Sequence, residues 1–143
     1  PTIEVRVADV PATVAESVTF AALVRGCVMT ALEEHRRGEP VQPLASFALK
    51  AAYWKAARDG LDGDSLDLQE HAPAPTRQLL EQLIDRVRPA LEQVGDYELV
   101  SSGLAGVAER GNGAMRQQAA WRRNHEVSDV LAEAAAATLE SPS

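Results

Sequence analysis

The sequence predicts an α+β fold that is mostly helical, with one strand at the N-terminus. Apolar and polar side chains alternate in the opening stretch, in the order Thr2, Ile3, Glu4, Val5, Arg6 and Val7. Strict alternation is typical of a half-buried strand, here residues 1–9. From residue 13 to about residue 140, apolar residues recur at the three- and four-residue spacing of helices.

A lone strand followed only by helices cannot form a sheet, because its backbone donors and acceptors need neighbouring strands. We therefore expect residues 1–9 to be an edge strand awaiting a partner, or the chain to be a piece of a longer protein. Its 143 residues, 45% hydrophobic and 24% charged, are typical of one globular domain or part of one.

Charge and composition exclude several function classes. The net charge is −7, from 14 basic and 21 acidic residues, and no dense basic run is present, so nucleic acid is not an expected partner. The single cysteine, Cys27, rules out a disulfide within these residues and a cysteine-cluster metal site. No secretion signal is visible, so we expect a cytoplasmic protein with no membrane partner.

The first helix is predicted from Val14 to about Arg36. Thr13 and Glu16 have the spacing of a capping box, in which each side chain binds backbone N–H groups of the first turn. The helix is apolar nearly all round between Val18 and Leu32, which predicts a buried central helix rather than a membrane span. Arg25 interrupts this pattern, and we expect a structural ion pair in preference to a ligand contact.

Further helices are predicted over residues 45–58, 76–94 and 96–110, with two shorter ones after Gly113 and from Ser128 or Asp129. Phe47, Ala51 and Trp54 form an apolar stripe on the first of these, and a longer stripe follows Thr76, its expected N-cap. Pro89 should kink or restart the second helix. An Asp-Gly turn makes a small hairpin plausible around residues 61–66.

Glu4 and Arg6 lie two residues apart and project from the same face of the predicted strand. A carboxylate is a hard oxygen ligand for Mg²⁺, and a guanidinium matches phosphate oxygens, so this face suits a metal bound to a phosphate. The alternative is that Glu4 and Arg6 form a weak ion pair on a solvated strand face. Taken without the rest of the sequence, the strand pattern favours this alternative.

Gly111-Asn112-Gly113 breaks a helix, and Arg116 lies in the first turn of the next one. Helix amides and a guanidinium together make a reasonable anion site. Glycine-rich linkers between helices are common, however, and most arginines beside them are simply solvated.

Three stretches, in order along the chain, together resemble one family: Thr2 to Asp9 before a long apolar helix, Tyr53 to Gly63, and Arg110 to Gln118. They resemble the C-terminal portion of the bacterial carboxylate–amine ligases, the family-2 glutamate–cysteine ligases. The resemblance implies a glutamine-synthetase-like fold, in which a curved antiparallel sheet holds Mg²⁺ and ATP. It also implies that ATP phosphorylates a carboxylate and that an amine then attacks the acyl phosphate.

The resemblance implies roles for four residues. Glu4 matches a residue that binds the metal. Arg6 matches a catalytic residue that also contacts the phosphates of the nucleotide. Arg116 matches a catalytic residue that contacts an anionic substrate or phosphate. Arg58 occupies a matching arginine position that is assigned to the nucleotide. Asp9 also matches the family pattern, but the resemblance implies no role for it.

Family members are much longer, so the resemblance implies that residues 1–143 are the C-terminal part of one catalytic domain, with an active-site strand at 1–9 and a helical part at 13–140. The N-terminal half, with the remaining metal ligands and most of the sheet, is expected to be missing, and the chain to be inactive alone. ATP and small amino-acid-like substrates are the expected ligands. The alternative is a non-catalytic helical assembly domain whose strand edge pairs with a partner, such as a second copy.

Overall fold

The computed structural model describes residues 2–140. Within that range it contains six helices and one β-hairpin: α1 (Val14–Arg36), α2 (Ser46–Asp59), β1 (Asp64–Asp67), β2 (Ala72–Pro75), α3 (Thr76–Val94), α4 (Tyr97–Arg110), α5 (Gly113–Asn124) and α6 (Val127–Thr138). This confirms the predicted α+β, mostly helical class. The chain divides into two compact units, one containing residues up to Arg25 and from Val94 onward, the other Gly26–Gln93.

The first unit is built on the N-terminal half of α1, and the predicted capping box forms there. The amide of Glu16 donates to Thr13 Oγ1 over 3.1 Å, and Glu16 Oε2 accepts from the amide of Ala12 over 3.0 Å. The first bond satisfies an N–H group that the first turn leaves without a helical partner, and the second ties Glu16 to the amide just before the cap residue. The apolar side chains buried in this unit are Ala22, Leu23, Val100, Ala120 and Ala137.

Gly103 allows α4 to approach α1 closely. A Cβ at this position would lie 2.2 Å from Thr19 Oγ1, and Thr19 itself is buried. Only a residue without a side chain fits at that separation. The buried Asp96, which precedes α4, forms an ion pair with Arg25, so the predicted structural partner of Arg25 is confirmed.

The second unit contains the antiparallel hairpin of β1 and β2, in which Ser65 pairs with Ala74. α2 packs against β1. Val87, Ala90 and Leu91 of α3 form the buried core, and Leu91 lies so close to Gly26 that a Cβ there would be 2.7 Å from Leu91 Cδ2. The predicted α3 stripe is confirmed at Val87 and Leu91.

The predicted N-terminal strand does not form in the described chain. Residues 2–12 contain neither helix nor strand, and Ile3 and Val7 are 71% and 63% exposed. The physical reason is the one given above, since an isolated strand has no partner for its backbone groups. Pro1, the first residue of the predicted strand, lies outside the described residues.

Three other local predictions need correction. The hairpin lies at Asp64–Asp67 and Ala72–Pro75, so its second strand falls beyond residues 61–66, where the Asp-Gly turn placed the hairpin. Thr76 is the first residue of α3 instead of its cap, and its buried Oγ1 has no hydrogen-bond partner. α3 runs through Pro89 as one helix, so the predicted restart there does not occur.

The predicted burial of α1 is only partly correct, and the apolar stripe predicted on α2 is exposed. α2 has no buried residue, and Phe47 and Trp54 of its predicted apolar stripe are 76% and 60% exposed. α1 is long and apolar enough to cross a membrane by length and composition alone, a test that core helices of soluble proteins also pass, and 22% of its apolar window is buried. The predicted central helix is therefore buried along part of one face.

Candidate functional site

Arg116 is the most firmly positioned of the residues selected from the sequence. Asn112 caps α5, its Oδ1 accepting from the amide of Met115 over 2.9 Å, and Gly111 before it has a φ of 83°. Glycine adopts this backbone conformation without strain. The turn brings the carbonyl of Gly111 to the guanidinium, and Arg116 Nη1 donates to it over 2.7 Å.

Glu16 holds the other side of the same guanidinium. Its Oε1 lies 2.8 Å from Arg116 Nη2, and the two side chains are only 12% and 15% exposed. Glu16 therefore closes the capping box of α1 with one oxygen and neutralises Arg116 with the other. Because both groups are largely removed from water, each depends on the other for its charge compensation.

A depression of about 600 Å³ opens beside this ion pair. It is lined by Asp9, Val10, Pro11, Ala12, Glu16, Asn112, Gly113, Ala114, Arg116, Gln117, Glu133, Ala134, Ala137 and Thr138. Three carboxylates and one already paired arginine give it no net positive charge. An anion entering here would have to compete with Glu16 for Arg116, whereas an ammonium group would meet acceptors.

Glu4 and Arg6 do not line this depression. Arg6 Nε lies 3.4 Å from Glu4 Oε1, and the side chains are 82% and 76% exposed. This is the geometry of the solvated ion pair that was the alternative interpretation, and such a pair contributes little to stability. Both side chains could therefore change partners at small cost. Among the described residues, no group of three or more His, Cys, Asp or Glu side chains could hold a metal ion.

Arg58 belongs to the second unit, at the end of α2. Its Nη2 donates to Asp59 Oδ2 over 2.9 Å, and its guanidinium carbon lies 4.4 Å from the ring centroid of Trp54. The hydrogen bond from Arg58, followed by one from Lys55, holds the pKa of Asp59 well below its usual range. Arg58 is thus fixed by a carboxylate and an aromatic face, which is a common arrangement for arginine.

Sequence reasoning did not identify Glu16 as the partner of Arg116, although it assigned Glu16 to the capping box. The two residues are 100 positions apart, and no local pattern relates them. Asp9, to which no role was assigned, contributes to the same depression.

Comparison with known proteins supports one family. The family model described as glutamate–cysteine ligase family 2 matches residues 1–135. A Mycolicibacterium vanbaalenii protein provisionally named glutamate–cysteine ligase 2-2 is 71% identical over 98% of this chain and 38% of its own length. A Mycolicibacterium smegmatis protein provisionally named glutamate–cysteine ligase 2-3 is 61% identical over 97% of this chain and 38% of its own length.

A more distant Nocardia farcinica relative, with the provisional name glutamate–cysteine ligase 2-1, is 49% identical over 98% of this chain and 37% of its length. No solved structure gives a significant match. The chain thus spans well under half of the length of these curated relatives. A match that covers residues 1–135 includes the opening stretch, the Arg58 region and the Arg116 turn together. The chain therefore belongs to glutamate–cysteine ligase family 2.

Proposed function

We propose that this chain is one part of an ATP-dependent carboxylate–amine ligase that forms an amide through an acyl phosphate. The observation that carries the proposal is the family match over residues 1–135, which includes every residue selected from the sequence. The provisional names of the relatives, all glutamate–cysteine ligases, support the same reaction class.

In this proposal Glu4 binds Mg²⁺ and Arg6 contacts phosphate oxygens of ATP. Mg²⁺ commonly takes one or two protein carboxylates and completes its shell with water and substrate phosphates, so a single glutamate fits as a partial ligand set. The bound metal would neutralise phosphate charge. The exposed Glu4–Arg6 pair is weak, so Mg²⁺ and phosphate could replace each residue's present partner at small cost.

Arg116 is proposed to bind an anionic substrate group or phosphate, which has to compete with Glu16 for the guanidinium. The Gly111 carbonyl holds the guanidinium in place from its other side. Arg58 is proposed to contact the nucleotide, with Trp54 and Asp59 fixing its position.

We propose that the chain is inactive alone. Among the described residues no group of three or more His, Cys, Asp or Glu side chains could hold a metal ion, and the chain spans 38% of the length of the Mycolicibacterium vanbaalenii relative. The remainder of the ligase would supply the other metal ligands. We also propose a cytoplasmic location.

The test uses a full-length chimera in which this chain replaces the matching 38% of the Mycolicibacterium vanbaalenii relative. Mg²⁺-ATP is titrated calorimetrically into the chain alone and into the chimera, and phosphate release is measured with glutamate and cysteine. We expect binding and turnover only in the chimera, and loss of both with Glu4→Ala. Glu39→Ala is the matched control, because Glu39 is also an exposed carboxylate in an ion pair.

A chimera that folds but is unaffected by Glu4→Ala would reject the assigned role of Glu4. A folded chimera without ATP turnover would reject the ligase proposal.

A second candidate function is assembly through residues 2–9, favoured by the exposure of Ile3 and the absence of strand pairing there. It predicts self-association of the chain in sedimentation experiments, lost when Val5 is replaced by proline. A monomeric chain at high concentration would reject pairing with a second copy.

A further inference from the structure

One face of α2 carries large apolar side chains that the rest of its own unit does not cover. Phe47, Ala51, Trp54 and Arg58 follow each other at spacings of four, three and four residues, so they lie along one side of the helix. All four are exposed, Phe47 by 76% and Trp54 by 60%. We call these four residues the α2 outer face.

The side of α2 that meets the rest of its unit lies about 100° round the helix from the outer face. Ala48, Ala52, Lys55 and Asp59 are half-buried, and the helix packs against β1. The small residues Ala48 and Ala52 therefore face inward while the aromatic residues face outward. A helix normally buries its most apolar face, so this inversion indicates a surface made for another partner.

We propose that the α2 outer face is a docking surface for the part of the ligase chain that this chain does not span. The length that remains is large, because the match covers only 38% of the Mycolicibacterium vanbaalenii relative. Arg58, to which the proposed function gives a nucleotide contact, lies at the end of the same face. The inference rests on the proposed function for the identity of this partner.

Charge on this side of the helix argues against a second copy as the occupant. Lys50 is exposed beside Phe47 and Trp54, and Arg58 stacks on Trp54. A two-fold symmetric contact would place both cations on each side of one interface and supply no carboxylate from this face to pair with them. A partner with apolar residues at its centre and carboxylates at its rim fits better.

The test is hydroxyl-radical footprinting of the chain alone and of the full-length chimera, which reports side-chain exposure without requiring activity. We expect Phe47 and Trp54 to react several-fold more slowly in the chimera, while Leu131, an equally exposed residue of α6, changes little. Unchanged reactivity of Phe47 and Trp54 in a folded chimera would overturn the proposal. Protection in the chain alone that grows with concentration would assign the face to a second copy and also overturn it.

Substitutions provide an independent measurement. Phe47→Asp and the helix-compatible Ala51→Glu should leave the melting temperature of the chain nearly unchanged but lower that of the chimera, with Leu131→Asp as the matched control. Equal effects of the three substitutions in the chimera would overturn the proposal. If the chimera does not fold, the chain is co-expressed with the part of the relative that it does not match. Phe47→Asp should then reduce the co-purification of the two pieces at least about tenfold, whereas Leu131→Asp should not. A wild-type chain that does not co-purify with the other piece would overturn the proposal.

Footprinting separates the two proposals. Protected aromatic residues in a chimera that turns over no ATP would retain the docking surface and reject the proposed reaction. Turnover with unprotected aromatic residues would retain the reaction and reject the docking surface.

Discussion

At the scale of single residues, two arginine–glutamate pairs show how burial changes the role of an ion pair. Glu16 and Arg116 are 12% and 15% exposed, whereas Glu4 and Arg6 are 76% and 82% exposed. Water and salt screen the exposed pair, so its removal changes little. The protected pair is different, because loss of one partner leaves the other charge without compensation.

A double-mutant cycle measures this difference. With Glu16→Gln and Arg116→Gln, we expect a coupling energy above about 1 kcal/mol in the free energy of unfolding, because breaking such a pair leaves a charge uncompensated. The cycle with Glu4→Gln and Arg6→Gln should give no more than about 0.5 kcal/mol. Urea denaturation of the wild type, the four single variants and the two double variants gives both coupling energies, and equal coupling in both cycles would contradict the argument.

At this scale, interactions between residues close in the sequence could be predicted, and interactions between distant residues could not. The capping box was predictable because it depends on the three-residue spacing of Thr13 and Glu16. It was also predictable that Arg25 needs an anion, because it is a charge in an apolar helix. The residues that form ion pairs with Arg25 and with Glu16 were not predictable. Glu16–Arg116 and Arg25–Asp96 each join distant residues, and only the tertiary fold brings them together.

Asp59 makes the stability of the α2 end depend on pH. Its pKa is lowered by hydrogen bonds from Arg58 and Lys55, so its stabilising contribution is complete above the unfolded pKa. The contribution is lost as the pH falls from about 4, the usual aspartate value, towards the lower folded pKa. We expect Asp59→Asn to reduce the loss of stability on acidification.

The measurement is the urea midpoint of both proteins from pH 7 to pH 3. Above pH 6 the difference between wild type and Asp59→Asn should be constant, which serves as the internal control. A difference that stays constant down to pH 3 would show that Asp59 is not linked to folding.

At the scale of elements, glycine sets how closely α1 and α4 pack. The Cβ of an alanine at Gly103 would meet the buried Thr19, whereas at Gly106 it would meet only the flexible end of Arg110, 3.0 Å away. The two glycines belong to the same helix but have opposite surroundings.

Alanine substitutions therefore should have opposite effects. Gly103→Ala should destabilise the protein by about 1–3 kcal/mol through overpacking. Gly106→Ala should be neutral or stabilising by up to about 1 kcal/mol, because alanine favours a helix. Thermal unfolding of both variants tests this, and a stable Gly103→Ala protein would show that the helices can separate without cost.

The positions of the elements were more predictable than their exposed faces. The ends of α1, α4 and α5 follow from caps and glycines that act locally. The apolar stripe of α2 was also located correctly, but it is exposed, and the half-buried side of the helix carries Ala48 and Ala52. The strand predicted at residues 1–9 does not form over the described residues 2–9, since alternation indicates a strand only where a partner is present.

At the scale of the whole molecule, α1 has properties of both a core helix and a membrane span. The helix is long and apolar enough to cross a membrane, yet its residues Thr19, Ala22 and Leu23 are buried within the fold. Arg25 lies near the middle of the helix and pairs with Asp96. An arginine at the centre of a bilayer costs about 2.5–3.5 kcal/mol on insertion scales, and leaving Asp96 unpaired would add to this cost.

We therefore expect the chain to remain unbound in a flotation experiment with vesicles of neutral and anionic lipids. Its net charge of −7 adds repulsion from the anionic surface. Arg25→Leu provides the sharper comparison, because it makes α1 more apolar while removing the partner of the buried Asp96. If α1 is a core helix, this variant should unfold more easily and still not float as a folded protein. If α1 is a membrane span, the floated fraction should rise, and burial of Thr19 in the first unit would then describe only the state outside the membrane.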